Sequence, residues 1–125
     1  MEIFTFGSSA SESALSVLTE AQINELPYGV VRLDLEGRVL QYNATEGLIT
    51  DRNPDAMLGL HFFSEVAPCT QGSHFHQRFY EALEQGAVNV IFEYIFDHQM
   101  QPTKVKVHLI RRVEEPSVWV VVKRL

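Results

Sequence analysis

The sequence predicts one α+β domain, in which helices pack on a face of an antiparallel sheet. Its 125 residues fit a single domain. Short amphipathic segments with helix caps come first, and a period of two replaces the helical period after Gly86. Three predicted strands then follow one another through short links, which favours antiparallel pairing.

The N-terminal segment predicts a small helical cap at residues 1–27, in front of a core at 28–125. Thr19 followed by Gln22 is a capping-box pattern for a short helix, and Pro27 stops that helix. Helices shorter than ~12–15 residues are marginal in water. We therefore expect this cap to be ordered only when it docks on the core.

The middle of the chain predicts a hairpin and then three helices. Apolar residues alternate on both sides of a tight turn at Glu36-Gly37. Asn43, Asn53 and Ser73 are N-cap residue types that each precede a helical pattern. The segment between the last two helices is predicted as a loop. With the hairpin, strands near residues 88–96, 105–109 and 118–122 make a five-stranded sheet.

The composition excludes several classes of function. The chain has 16 acidic and 10 basic residues, and this net charge of −6 argues against binding to nucleic acid or to an anionic membrane. One cysteine cannot form an internal disulfide or a Cys-pair zinc site. Neither a signal peptide nor a membrane span shows in the sequence, so we expect a cytoplasmic protein.

Two groups of residues could carry chemistry. Cys69 lies in the predicted loop, where it is either a buried small apolar residue or a reactive thiol. Tyr42, Glu46 and Thr50 are spaced at i, i+4 and i+8 where the chain turns from strand to helix, which places a phenol, a carboxyl and a hydroxyl on one side of that turn. The competing interpretation is that Glu46 only completes a capping box with Asn43.

The histidines are weaker candidates. His74 and His76 are two residues apart at a helix start, so they point to different sides of the helix. Without Cys partners or a His-Glu-x-x-His pattern they make poor metal ligands, and we expect both to face solvent. No metal site is predicted.

Four segments match a known family over the whole length of the chain. They are residues 40–47 (LQYNATEG), 66–70 (VAPCT), 92–94 (FEY) and 99–108 (QMQPTKVKVH). On these segments and their spacing, the chain resembles the photoactive yellow protein family of blue-light photoreceptors, which have a PAS fold. The resemblance implies a central five-stranded antiparallel sheet, helices packed on it and an N-terminal helical cap.

The resemblance also implies a cofactor, p-coumaric (4-hydroxycinnamic) acid, held as a thioester on Cys69. Tyr42 and Glu46 would donate hydrogen bonds to its phenolate oxygen, Thr50 would support Tyr42, and Arg52 would cover the pocket mouth. Glu46 can donate only when protonated, and burial beside an anion raises a carboxyl pKa. Further cofactor-binding residues implied in this way are Phe62, Val66, Ala67, Thr70, Phe96, His98 and Met100. At His98 the family's best-known member carries a tyrosine.

The function implied is sensory signal transduction and not catalysis. Light would isomerise the chromophore, Glu46 would give its proton to the phenolate, and a buried carboxylate would remain at a cost of several kcal/mol. Partial unfolding of the cap at residues 1–27 would be the signalling state. The partner would be a downstream signalling protein of unknown identity. We expect a monomer, with a weak dimer as the alternative.

Two other functions stay open at this point. The first is a PAS-type sensor or interaction module that binds a different ligand or no ligand and leaves Cys69 free. The second is a cysteine-dependent hydrolase or redox sensor. The second of these needs a histidine close to Cys69 and a depressed thiol pKa.

Overall fold

The computed structural model describes residues 15–97, 101–112 and 115–125. A five-stranded antiparallel sheet in the order β2-β1-β5-β4-β3 forms its centre, which confirms the predicted class and pairing. The strands are β1 (Gly29–Asp34), β2 (Val39–Tyr42), β3 (Val88–Phe96), β4 (Thr103–Arg111) and β5 (Ser117–Arg124).

The helices begin where the N-cap residues predict them. Thr19 and Gln22 form the reciprocal capping box, and the Asn43, Asn53 and Ser73 side chains each accept a hydrogen bond from a first-turn backbone N–H. The helices are α1 (Glu20–Glu25), α2 (Ala44–Thr50), α3 (Pro54–Met57) and α4 (His74–Gln85).

The segment predicted as a loop is helical instead. A single π-helical turn spans Phe62–Val66, and a 3-10 turn spans Pro68–Thr70. The Ala67 N–H donates to the Phe62 carbonyl at 2.8 Å, which closes the wider π-type ring. Within the turn Phe62, Phe63 and Val66 are all buried. Tertiary packing of these side chains in one core therefore determines the helical conformation of this segment. A five-residue turn is too short to show a helical period in the sequence.

The sheet separates two apolar clusters. The main core lies between the sheet and the helices, and it contains Phe62, Phe63 and Phe75. The outer face is covered by residues 15–26, which we call the docked layer. The outer cluster contains Leu15, Ile23, Leu26, Val30, Ile110, Trp119 and Val121. Successive side chains of β5 point to opposite faces of the sheet, so this strand contributes apolar residues to both clusters.

The two histidines at the start of α4 differ in burial. His74 is exposed, as expected, but His76 is buried, so the expectation that it faces solvent is wrong. Its ring stacks between Phe63 and Tyr80, with centroid distances of 4.2 and 4.5 Å, and its Nδ1 accepts a hydrogen bond from the Gly72 N–H. The sequence predicted opposite sides of the helix but not which side faces the core.

One buried amide joins the docked layer, β1 and α2. The Asn43 Oδ1 accepts from the backbone N–H groups of Glu46 and Val30, both at 2.9 Å. The Asn43 Nδ2 donates to the carbonyls of Ile23 and Tyr28, at 2.9 and 3.0 Å. A single side chain therefore satisfies four backbone groups from three parts of the fold.

Replacing Asn43 by alanine should lower the free energy of unfolding by about 3 kcal/mol or more, because several buried backbone groups lose their partner. Asn53→Ala is the matched control, since it removes the exposed cap of α3 and should cost only about 1 kcal/mol. Chemical denaturation of both variants measures the difference. Equal losses would show that the Asn43 side chain acts only as an ordinary helix cap.

Candidate functional site

Three side chains predicted to share a face do meet. Tyr42 ends β2, while Glu46 and Thr50 lie one turn apart on α2, and all three are buried. The Tyr42 and Thr50 hydroxyl oxygens are 2.7 Å apart, and the Thr50 hydroxyl donates to the Glu46 carbonyl at 2.8 Å. Because that bond uses the only Thr50 hydroxyl hydrogen, Tyr42 is the donor to Thr50.

The Glu46 carboxyl group is not part of a capping box. The Asn43 N–H, which a capping box would offer to Glu46, donates to the Val30 carbonyl at 3.0 Å instead. Glu46 is 1% exposed, and its Oε1 has no hydrogen-bond partner among the described residues. Asn43 caps α2 as expected, but the competing interpretation of Glu46 as a capping residue is wrong.

The surroundings of Glu46 favour its neutral form. Burial raises the pKa of Glu46 to about 7, and the Arg52 guanidinium acts in the opposite direction with a smaller effect. Burial, and then the charge of Glu46, raise the pKa of Tyr42. Two O–H donors therefore face the same interior near neutral pH.

Two glycines that the sequence analysis missed make room for this arrangement. A Cβ atom on Gly29 would lie 2.2 Å from the Glu46 Oε1, so only glycine leaves space for the carboxyl group. A Cβ atom on Gly47 would lie 2.7 Å from the Arg52 carbonyl oxygen. The sequence signal for Gly29 was a glycine at the start of a strand, where β-branched residues are preferred.

A narrow cleft brings most of the predicted residues together. Thr70 is fully buried and is not one of the lining residues, and its hydroxyl donates to the Ala67 carbonyl at 2.6 Å. His98 and Met100 lie outside the described residues. The residues lining the cleft are Tyr42, Glu46, Thr50, Arg52, Phe62, Val66, Ala67, Cys69 and Phe96. That they bind a cofactor stays a prediction.

Hydrogen bonds from two other parts of the chain position the segment that carries Cys69. Cys69 is half-buried in the 3-10 turn, and the Tyr94 hydroxyl of β3 donates to its carbonyl at 2.9 Å. An Arg52 N–H donates to the Val66 carbonyl just before this turn. Within the described part of the chain, no histidine forms a hydrogen bond to the Cys69 thiol. The hydrolase alternative therefore has no positioned base there.

The fold and the cleft together define a sensor domain of the PAS class. The model of the PAS fold family matches residues 18–124. Photoactive yellow proteins from Rhodothalassium salexigens and Halochromatium salexigens are each 46% identical to this chain over 125 residues, with the whole of both chains covered. The photoactive yellow protein domain of the sensor histidine kinase Ppr from Rhodospirillum centenum superposes with a TM-score of 0.82 at 30% identity, covering 90% of this chain and 98% of that domain.

The chain belongs to the photoactive yellow protein family. Its members are photoreceptors and not enzymes, so the function expected from the sequence is confirmed at this level. A photoreceptor of this family has a chromophore, and PAS domains are signalling modules that interact with partners. Among the described residues, no helix is long and apolar enough to cross a membrane.

The raised pKa of Glu46 predicts a pH-dependent stability. In the chain without pigment, the unfolded carboxyl titrates near 4.5 and the folded one near 7. The stabilising contribution of the proton is complete below pH 4.5 and lost as the pH rises through about 7, because the folded state binds more protons in that window. The loss should be on the order of 3 kcal/mol.

Unfolding free energies measured across this pH range test the prediction. Glu46→Gln is the control, since glutamine has the same shape and no titratable group. The difference between wild type and Glu46→Gln should change with pH. Parallel curves would mean that Glu46 has an ordinary pKa in the folded chain.

Proposed function

We propose that this photoreceptor detects blue light through a p-coumaroyl group held as a thioester on Cys69, and that it signals by releasing its N-terminal cap. The observation that carries the proposal is the Glu46 Oε1, a buried polar atom without a hydrogen-bond partner in residues 15–97, 101–112 and 115–125. It belongs to a side chain that lines the same cleft as the only cysteine of the chain.

The residue types in the cleft fit a bound phenolic acid. Phe62, Val66 and Phe96 provide apolar walls for an aromatic ring. A phenolate in such surroundings is stable only beside strong donors, and O–H···O⁻ hydrogen bonds are short and strong. Tyr42 and a protonated Glu46 are donors of this kind.

Each residue of the polar group would have a defined role. Tyr42 would turn its O–H from Thr50 to the phenolate oxygen. The Thr50 hydroxyl would then turn from the Glu46 carbonyl to donate to the Tyr42 oxygen. The Cys69 N–H would hold the thioester carbonyl, and Arg52 would cover the mouth of the cleft. Thr70, His98 and Met100 complete the proposed cofactor-binding set, and Met100 would assist the thermal return to the dark state.

The bound group supplies absorption of blue light and isomerisation about its double bond. Glu46 would then lose its carboxyl proton to the phenolate oxygen. The carboxylate would remain buried with no hydrogen bond to Oε1, which costs several kcal/mol. That cost is comparable to the total stability of a small domain, about 5–15 kcal/mol. Movement of the helix that carries Glu46 would relieve it.

The first turn of that helix also holds the docked layer. Asn43 to Thr45 bind α1 and the residues next to it, so displacement of α2 by a charged Glu46 would break these contacts. They are Asn43 Nδ2 to the Ile23 carbonyl at 2.9 Å, the Ala44 N–H to Asn24 Oδ1 at 2.9 Å, and Thr45 Oγ1 to the Leu26 carbonyl at 2.6 Å. The site and the layer therefore share one structural element.

In the proposed function, the chain has two parts, a cap at residues 1–27 and a PAS core at 28–125. Residues 1–14 of the cap lie outside the described part of the chain. Release of the cap would be recognised by a downstream signalling protein of unknown identity. The net charge of −6 makes nucleic acid and anionic membranes poor partners. We propose a cytoplasmic monomer that can form a weak dimer.

Mixing the colourless chain with an activated p-coumaroyl ester should give a yellow protein that carries one p-coumaroyl group on Cys69. Mass spectrometry of the intact chain and of its peptides locates the adduct, and the absorption spectrum shows whether the bound phenol is ionised. Cys69→Ala is the control and should stay colourless. Equal colour in that variant would favour a PAS module that binds another ligand and leaves Cys69 free.

Light should lower the hydrogen-exchange protection of residues 15–26 in the pigmented wild type. Glu46→Gln should keep its pigment but lose most of this response, because an amide cannot give up a proton to form the buried charge. Exchange rates measured in darkness and under continuous blue light give the comparison. Unchanged protection in the illuminated wild type would refute cap release as the signal.

A further inference from the structure

A junction of charged side chains on the outer face of the sheet is centred on Glu115. Its Oε1 lies 3.4 Å from Arg112 Nη1, and its Oε2 lies 3.7 Å from Arg32 Nη2. The Oε2 also accepts a hydrogen bond from Trp119 Nε1 at 3.4 Å. The Glu115 side chain is only 14% exposed, so these pairs are screened less than surface pairs.

The sheet fixes one side of this junction. Arg32 and Trp119 are register partners on β1 and β5, and the Arg32 guanidinium carbon lies 4.8 Å from the centroid of the Trp119 ring. The Arg32 Nε donates to Ser117 Oγ at 2.8 Å. A stacked and hydrogen-bonded guanidinium of this kind has little freedom to move. Glu115 therefore forms its ion pair with an Arg32 guanidinium that the sheet holds in place.

The other side of the junction reaches the docked layer. Arg112 Nη1 donates to Ser16 Oγ at 3.1 Å, across 96 positions of the sequence. Leu15, the neighbour of Ser16, is buried in the same outer cluster as Trp119. The chain of contacts Trp119–Glu115–Arg112–Ser16 thus joins β5 to the first described residues of the layer.

We infer that the Glu115 junction is a second clamp on the docked layer, which acts at residues 15–16, whereas α2 holds residues 23–26. Its role in signalling rests on the proposed function, but its effect on docking in the dark does not. No residue of the junction lines the Glu46 cleft. The clamp therefore sets how firmly the layer is docked, independently of the state of the site, and it weakens as salt screens its charges.

Two variants test the clamp in the pigmented protein. Glu115→Gln keeps the shape of the side chain and removes its charge, and Ser16→Ala removes only an exposed hydroxyl, so that the fold is kept. The matched control is Glu93→Gln, which removes a carboxylate 3.2 Å from Lys104 at the β3–β4 edge, far along the sheet from β1.

Hydrogen exchange in darkness and fluorescence measure docking of the layer. Trp119 is the only tryptophan of the chain and is 2% exposed, so undocking should shift its emission to longer wavelength. Exchange of residues 15–18 should be roughly three- to tenfold faster in Glu115→Gln and somewhat less accelerated in Ser16→Ala. Added salt should accelerate it more in wild type than in Glu115→Gln. Exchange that is unchanged or slower in Glu115→Gln, or equally faster in Glu93→Gln, would overturn the inference.

The same samples separate this inference from the proposed function. If the variants exchange faster in the dark but light leaves wild type unchanged, the clamp is supported and cap release by light is wrong. If light releases the layer in wild type while Glu115→Gln and Ser16→Ala match wild type in the dark, cap release is supported and the clamp is wrong.

Discussion

The buried carboxyl group of Glu46 is the constraint on which the rest of the site depends. This carboxyl group is 1% exposed, and its Oε1 has no hydrogen-bond partner within the described part of the chain. Burial of such a group is unfavourable, and the structure around it accommodates it. Gly29 leaves the volume that the Oε1 occupies, and Asn43 fixes the start of the helix that carries it. Desolvation raises the pKa of the group to about 7, so that its protonated form, a hydrogen-bond donor, is present near neutral pH at the atom that an anionic ligand would contact.

Helix α2 connects the Glu46 carboxyl group to the docked layer on the opposite face of the sheet. Its inner side carries Glu46 and Thr50 towards the cleft, while its first turn binds the docked layer through Asn43 and Thr45. The layer also buries Leu15, Ile23 and Leu26 against the sheet, and these polar contacts add to that apolar packing. In the proposed function, a change of charge at Glu46 would therefore affect the docked layer, which does not line the cleft, through a helix of seven residues.

The local patterns in the sequence were informative where a single residue type fixes the local structure. Thr19, Asn43 and Ser73 each marked a helix start, because a short polar side chain there satisfies free backbone N–H groups. The apolar patterns after Gly86 predicted three strands, and the period of two in the first of them predicted its inward face. The family resemblance then named each lining residue of the cleft that the structure describes, although from spacing alone Glu46 remained open between a cap and a ligand-binding group.

By itself the sequence determined the fold class, the order of the elements, the face of α2 that carries Glu46, and the family to which the chain belongs. Only the tertiary structure decided that the Asn43 N–H is bound by Val30, which frees the Glu46 carboxyl for the cleft. It also decided the helical turns before Cys69 and the burial of His76 between Phe63 and Tyr80. The physical reason is that caps and periodicity act within a few residues, whereas burial and the competition for hydrogen-bond partners depend on segments that are distant in the chain.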